Sequence, residues 1–224
     1  MLADRILFID AEAMVVDKPA GLPVTPTRDG AISVENHLAS LAFGFRRWPA
    51  PAHRLDRDTS GCLLLARTPR ALSRYHAAFE AGQVGKRYLA VVDGVPAQPA
   101  GTIDMPLAKI SSRADGWRMV ADAKGKAART RWRLVGAAGG RALILFAPET
   151  GRTHQLRVHA ASGLGLPIAG DPVYGRAART GMLLHAWRLT VPRDPKAPIV
   201  AEAPLPETFA AAGFTAPDIG DGDA

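Results

Sequence analysis

The chain has a single cysteine, Cys62, among 224 residues, and no run of about 18 apolar residues. The first lack excludes an intrachain disulfide and agrees with a reducing compartment. The second leaves no segment suited to a membrane helix, and Met1-Leu2-Ala3-Asp4-Arg5 carries charges too early for a secretory signal. A soluble, cytoplasmic protein is expected. No glycine-rich loop followed by Lys and Ser or Thr occurs, which excludes the common nucleotide-hydrolysing design. His154 and His159 lie five apart, about 140° around a helix, with no acidic companion, so the two-histidine face of a zinc protease is missing and no metal is expected. Asp58-Thr59-Ser60-Gly61 differs from an aspartic-protease turn by an extra residue and has no second copy. Negative charge is the scarcer sign: 21 Asp+Glu stand against 28 Lys+Arg, giving +7 and a pI near 10.1. A polyanionic partner such as nucleic acid is favoured, although the same surplus occurs in basic proteins that bind nothing charged.

With 47% apolar residues the chain can build a proper core. Ile6–Ile9, Met14–Val16 and Cys62–Ala66 read as strands, as do Tyr88–Val92 and Met182–Leu189, while Thr130–Leu134 and Leu143–Phe146 form a hairpin through Gly139-Gly140. Ser33 caps one helix with Val34, Leu38 and Leu41 on a face; Thr68-Pro69 opens a second that ends at Gly82; Thr153–Ala161 is predicted as a third. Frequent hairpin links predict an α+β fold with a mixed, mostly antiparallel sheet and flanking helices and loops. Residues 1–215 form one continuous domain, with two lobes allowed. Residues 216–224, with Asp218, Asp221 and Asp223, are expected to be a frayed tail.

Polar chemistry concentrates in two places. The first is His53-Arg54-Leu55-Asp56-Arg57-Asp58-Thr59-Ser60-Gly61, set directly against an apolar strand. Burying one unpaired charge there would cost several kcal/mol, so the segment is either an ion-pair knot or a site holding a carboxylate for chemistry. Asp56, ionised at neutral pH, could act as nucleophile or base. Asp58, followed by Thr59, Ser60 and Gly61, reads as part of a turn held by local side-chain bonds. The second place is Glu149-Thr150-Gly151-Arg152-Thr153-His154-Gln155-Leu156-Arg157-Val158-His159. If helical from Thr153, it sets His154 and Arg157 on one donor-rich face, with Arg152 just ahead, suited to phosphate or carboxylate. A solvated basic face fits the same residues. Lys86-Arg87-Tyr88 starts a strand and sends Lys86 and Tyr88 to one side, where a base could stack; taken alone, an ordinary core tyrosine is the default.

Taken together, the first segment, Lys86-Arg87-Tyr88, Gly125-Lys126-Ala127-Ala128-Arg129-Thr130 and Gly151-Arg152-Thr153-His154-Gln155-Leu156-Arg157 resemble the motifs of the RluA-type pseudouridine synthases in order and spacing. The resemblance runs from about Leu7 to Phe209 and includes Val16-Asp17-Lys18-Pro19-Ala20-Gly21-Leu22-Pro23-Val24, Gly170-Asp171-Pro172-Val173-Tyr174-Gly175 and Leu184-His185-Ala186. It implies the pseudouridine synthase catalytic fold and isomerisation of a uridine in ribosomal or transfer RNA, with no cofactor and no metal. Carried over position by position, Asp56 is the catalytic aspartate, Tyr88 the ring stacked on the target base, and Arg157 the group orienting Asp56. Arg54 holds the flipped nucleotide or fills its place; His53, Lys86, Lys126, Arg152 and His154 are expected to contact substrate or support the pocket. Core strands beginning near Ile6 leave no room for the small RNA-binding module that precedes the catalytic domain in many relatives. RNA selection then falls to loops such as Phe45-Arg46-Arg47-Trp48, acting in a monomer; an ordinary surface turn with a half-buried Trp fits that loop equally. A fold-retaining, non-catalytic RNA-binding or ribosome-assembly protein is the alternative; the presence of Asp56, Tyr88 and Arg157 counts against it.

Overall fold

The computed structural model describes residues 1–27, 30–112 and 116–217. In chain order its strands are β1 (Ile6–Ile9), β2 (Ala13–Lys18), β3 (Ala50–Pro51), β4 (Ser60–Ala66), β5 (Gly85–Val92), β6 (Ala100–Asp104), β7 (Leu107–Ser112), β8 (Gly116–Ala121), β9 (Arg129–Ala138), β10 (Arg141–Pro148), β11 (Leu184–Val191) and β12 (Ile199–Glu202). Three α-helices accompany them: α1 (Pro69–Glu80), α2 (Gln155–Val158) and α3 (Glu207–Ala211). The α+β architecture with a mixed, mostly antiparallel sheet and few helices is the one read from the sequence. The chain divides into two compact units, one of Met1–Lys86 with Ala186–Pro204, the other of Arg87–His185 with the segment from Leu205.

In the first unit β2 pairs antiparallel with β1 and with β4, placing Val16 opposite Leu63 and Lys18 opposite Gly61. Both central strands are buried along their whole length. That explains the unbroken apolar run Cys62–Ala66: a strand covered on two faces has no solvent side on which to alternate. Helix α1 starts where predicted, with the Thr68 hydroxyl accepting from Ala71 N–H at 3.2 Å and Pro69 in its first turn. It buries Ala71, Tyr75 and Ala78 against Val15, Leu64, Leu189 and Ile199. Cys62 lies in this core, and burial pushes its thiol up to about 12.

In the second unit β10 is central, paired antiparallel with β5, where Phe146 faces Tyr88, and with β9, where Phe146 faces Trp132. Strand β6 adds to β9, and β7 with β8 makes a separate two-stranded ribbon. Ala90, Val92, Ile144, Phe146, Leu156, Ala160 and Ile168 form the core. The third helix begins later than predicted. His154 has φ +54° and precedes α2, which runs only over Gln155–Val158 before a π-helical turn, His159–Gly163. The buried Gln155 side chain is the reason. Its Oε1 accepts from the Arg152 N–H at 2.9 Å and the Thr150 hydroxyl at 2.7 Å, while its Nε2 donates to Arg129 O and Thr130 Oγ1. Those bonds hold 150–154 as a tight turn and leave no regular first turn of helix. Residues 218–224, most of the predicted tail, lie outside the described residues.

Gly61 shows how closely the first unit is packed at the end of β4. Its φ is +106°, and an added Cβ would overlap the Ala186 carbonyl. Replacing it combines backbone strain with a backbone clash that no rotamer change can relieve. Gly61→Ala is therefore expected to lose at least about 3 kcal/mol of stability, read as a fall in the urea midpoint. A midpoint within error of the parent protein would show that the approach of Gly61 to Ala186 is looser than described.

Candidate active site

Asp56 sits half-buried on the loop between β3 and β4, and its neighbours are held from several sides. Leu55, the preceding residue, is buried. Thr59 N–H donates to Asp56 O at 3.1 Å and closes the turn that contains Asp58. The Arg57 carbonyl accepts two bonds, from Gly21 N–H at 2.9 Å and from the Lys18 ammonium at 3.0 Å. Lys18 also donates to Pro19 O and Leu22 O, each at 2.8 Å. An ammonium has three N–H donors and no acceptor, so three converging carbonyls satisfy it completely.

Lys18 has no exposed surface. Burial lowers its pKa to about 8, against the opposing pull of Asp58, Asp56 and Asp17. Lys86, at the start of β5, is likewise brought down to about 8 by burial. In the sequence Lys18 stands out only as one residue of the family-like stretch Val16–Val24. A lysine that ends an apolar strand and precedes Pro-Ala-Gly carried the signal, because its charge needed partners in whatever loop packed there.

His53 was expected to touch substrate. Its ring is stacked on Phe79, with centroids 4.6 Å apart, and its Nε2 accepts from the Leu64 backbone N–H at 3.0 Å. Burial first, and the Lys86 charge second, lower it to about 3, so it is neutral at physiological pH. These contacts anchor the loop of Asp56 to β4. Arg54 is exposed.

In the second unit Tyr88 is half-buried and packs against the core around Phe146. Arg157 is only 4% exposed and Asp171 is fully buried. The guanidinium grips the carboxylate through two parallel bonds, Nε to Oδ2 at 2.7 Å and Nη2 to Oδ1 at 2.8 Å. Oδ1 also accepts from the Val173 and Tyr174 backbone N–H groups. Burial alone would raise the Asp171 pKa, but the Arg157 bonds and charge and the two N–H groups outweigh it, so Asp171 is held below the usual carboxylate range. Exposed Arg152 donates from Nε to Ala127 O at 2.9 Å, which seats it beside exposed Lys126. His154 and Arg157, predicted on one helical face, instead approach the two ends of Tyr174: His154 Nδ1 lies 2.9 Å from its hydroxyl and the Arg157 guanidinium 5.1 Å from its ring centre.

Asp56, Arg54, His53 and Lys86 thus belong to the first unit, and Tyr88, Lys126, Arg152, His154 and Arg157 to the second. Among the described residues no group of three or more His, Cys, Asp or Glu side chains is placed to hold a metal ion, and no helix is long and apolar enough to cross a membrane.

The buried pair sets one expectation. Asp171→Asn keeps the shape but removes the negative charge from a buried bidentate pair, which should cost about 3–5 kcal/mol in chemical denaturation; a loss below about 1 kcal/mol would mean that other groups already serve Arg157. Lys18 sets another. Its native pKa lies below the ordinary 10.5, so between about pH 8 and 10.5 the unfolded chain binds more protons and stability contributed by this group rises with pH. Denaturation midpoints measured across that window should show the rise in the parent protein and a weaker one in Lys18→Met; identical slopes would contradict it.

A family model described as RNA pseudouridylate synthase matches residues 12–162. An RNA pseudouridine synthase of Zymomonas mobilis is 61% identical over 96% of this chain and 99% of its own length. The ribosomal large subunit pseudouridine synthase D of the same organism is 38% identical, over 78% of this chain and 57% of its own. Among solved structures, the human RNA pseudouridylate synthase domain containing 4 superposes with a TM-score of 0.78 at 28% identity, covering 93% of this chain and 91% of that one.

Proposed function

The chain belongs to the RNA pseudouridylate synthase family, and we propose that it is an active enzyme converting a uridine of structured ribosomal or transfer RNA to pseudouridine in the cytoplasm. The observation that carries this is the loop of Asp56, whose turn is closed by Thr59 N–H and whose next carbonyl, Arg57 O, is fixed by Lys18 and Gly21. A loop held by a fully buried ammonium places one carboxylate with little freedom, as a reacting group requires.

The reaction is an isomerisation: the N1–C1′ bond of the uridine breaks, the uracil turns, C5 bonds to C1′, the C5 proton leaves, and N1 takes up a proton. Atoms and electrons balance without cofactor or metal. Asp56 supplies the anionic oxygen that opens the sequence. Tyr88 is assigned to stack on the uracil, and Arg157, held by Asp171, to keep the Asp56 carboxylate oriented; both roles follow the matched motifs. Arg54, exposed on the same loop as Asp56, is assigned to the flipped nucleotide. Extruding that nucleotide costs a few kcal/mol, which stacking worth about 1–3 kcal/mol per base and phosphate contacts from Lys126 and Arg152 can offset. Names of relatives such as the large-subunit synthase D point to ribosomal RNA as substrate.

Asp56→Asn should retain RNA affinity and form no pseudouridine, scored by chemical mapping of the modified base in bulk RNA. Product at the parent level would remove Asp56 from the chemistry.

A further inference from the structure

The hairpin β7–β8 is a ribbon separate from the main sheet of its unit. It carries exposed Lys109 and Arg118, and Trp117 at 48% exposure, with the Lys109 ammonium 5.1 Å from the Trp117 ring centre. Exposed Lys124 and Lys126 follow on the adjoining turn, where Lys126 and Leu107 exchange two backbone bonds. Such a cationic surface suits phosphates. Its base is tied to buried chemistry. Met119 N–H, in β8, donates to the Tyr174 hydroxyl at 2.9 Å. His154 contacts both sides of this junction, its ring 5.0 Å from Trp117 and 5.6 Å, edge-on, from Tyr174.

Tyr174 in turn touches both members of the buried ion pair. Its backbone N–H donates to Asp171 Oδ1 at 3.1 Å, and its ring lies under the Arg157 guanidinium. A tyrosine hydroxyl both accepts and donates, so its oxygen takes the Met119 N–H while its own hydrogen suits an unprotonated His154 Nδ1. The left-handed backbone of His154, rare for a residue with a Cβ, turns its ring out of α2 and onto Trp117 and Tyr174. Leu107 and Met119 pack on Val158, the residue after Arg157.

We propose that Tyr174 and His154 are positioning residues that couple RNA held on the β7–β8 hairpin to the Arg157–Asp171 pair. The inference rests on the role given to Arg157 above. The Tyr174 hydroxyl and His154 serve the hairpin, and the Tyr174 ring serves Arg157, so the two duties separate by substitution.

Tritium release from bulk RNA carrying uridine labelled at carbon 5, prepared from cells lacking this enzyme, gives apparent kcat and KM. Tyr174→Phe and His154→Ala should raise KM about tenfold, the worth of one hydrogen bond, with kcat within about twofold. Tyr174→Leu, which also removes the ring, should lower kcat at least about tenfold. In His154→Ala the emission of Trp117, isolated by difference from the same variant carrying Trp117→Phe, should lose its response to added RNA. The proposal fails if Tyr174→Phe leaves KM unchanged, or if it lowers kcat as far as Tyr174→Leu at constant KM. Should Tyr174→Leu not fold, the other two variants decide. Absence of tritium release from the parent protein would strike the uridine-isomerase reading instead; filter binding of the same RNA then tests the coupling, with a tenfold weaker affinity in both milder variants supporting it and unchanged affinity overturning it.

Discussion

The first unit is arranged around a charge that water does not reach. An ammonium with no exposed surface costs several kcal/mol unless each N–H is matched, and Lys18 is matched by the carbonyls of Pro19, Leu22 and Arg57. Two of those carbonyls belong to the turn after β2 and the third to the residue after Asp56. One side chain therefore ties the end of a central strand to the loop of Asp56. Displacing that loop would strand a buried donor, which is why a short irregular segment with two aspartates and two arginines can be as fixed as the sheet beside it.

The second unit solves the same problem with the opposite partner. Arg157 is buried against a carboxylate, and Asp171 is further held by two backbone N–H groups from its own turn. A bidentate guanidinium pair fixes direction as well as distance. Gly170-Asp171-Pro172 is thus architecture in the service of Arg157: the turn aims a carboxylate, and the carboxylate aims the arginine.

How much of this could be read from sequence follows from the range of the forces involved. Strands β2, β4, β5, β9 and β10 were legible because their apolar runs or alternation are local consequences of burial. Helix α1 was legible through Thr68 and Pro69. Strands β6, β7 and β8 were not: in β6 only Ile103 is buried, so no periodicity marks it. His154 was misplaced on a helix because its left-handed conformation depends on the Gln155 amide reaching Arg129 and Thr130, more than 20 residues away in sequence. The motif residues were visible as residues, but the partners of Lys18 and Arg157 were not, since hydrogen bonds across the chain leave no periodic trace.

Lys18 also shows how a buried charge can hold a loop without drawing on its side chains. Its three donors are committed to three carbonyls, while the negative charge of Asp58, Asp56 and Asp17 opposes the lowering that burial imposes on its pKa. The same commitment explains why arginine would be a poor replacement. A planar fork of five N–H groups cannot be satisfied by three carbonyls gathered around one point, and its surplus donors would turn to the aspartates.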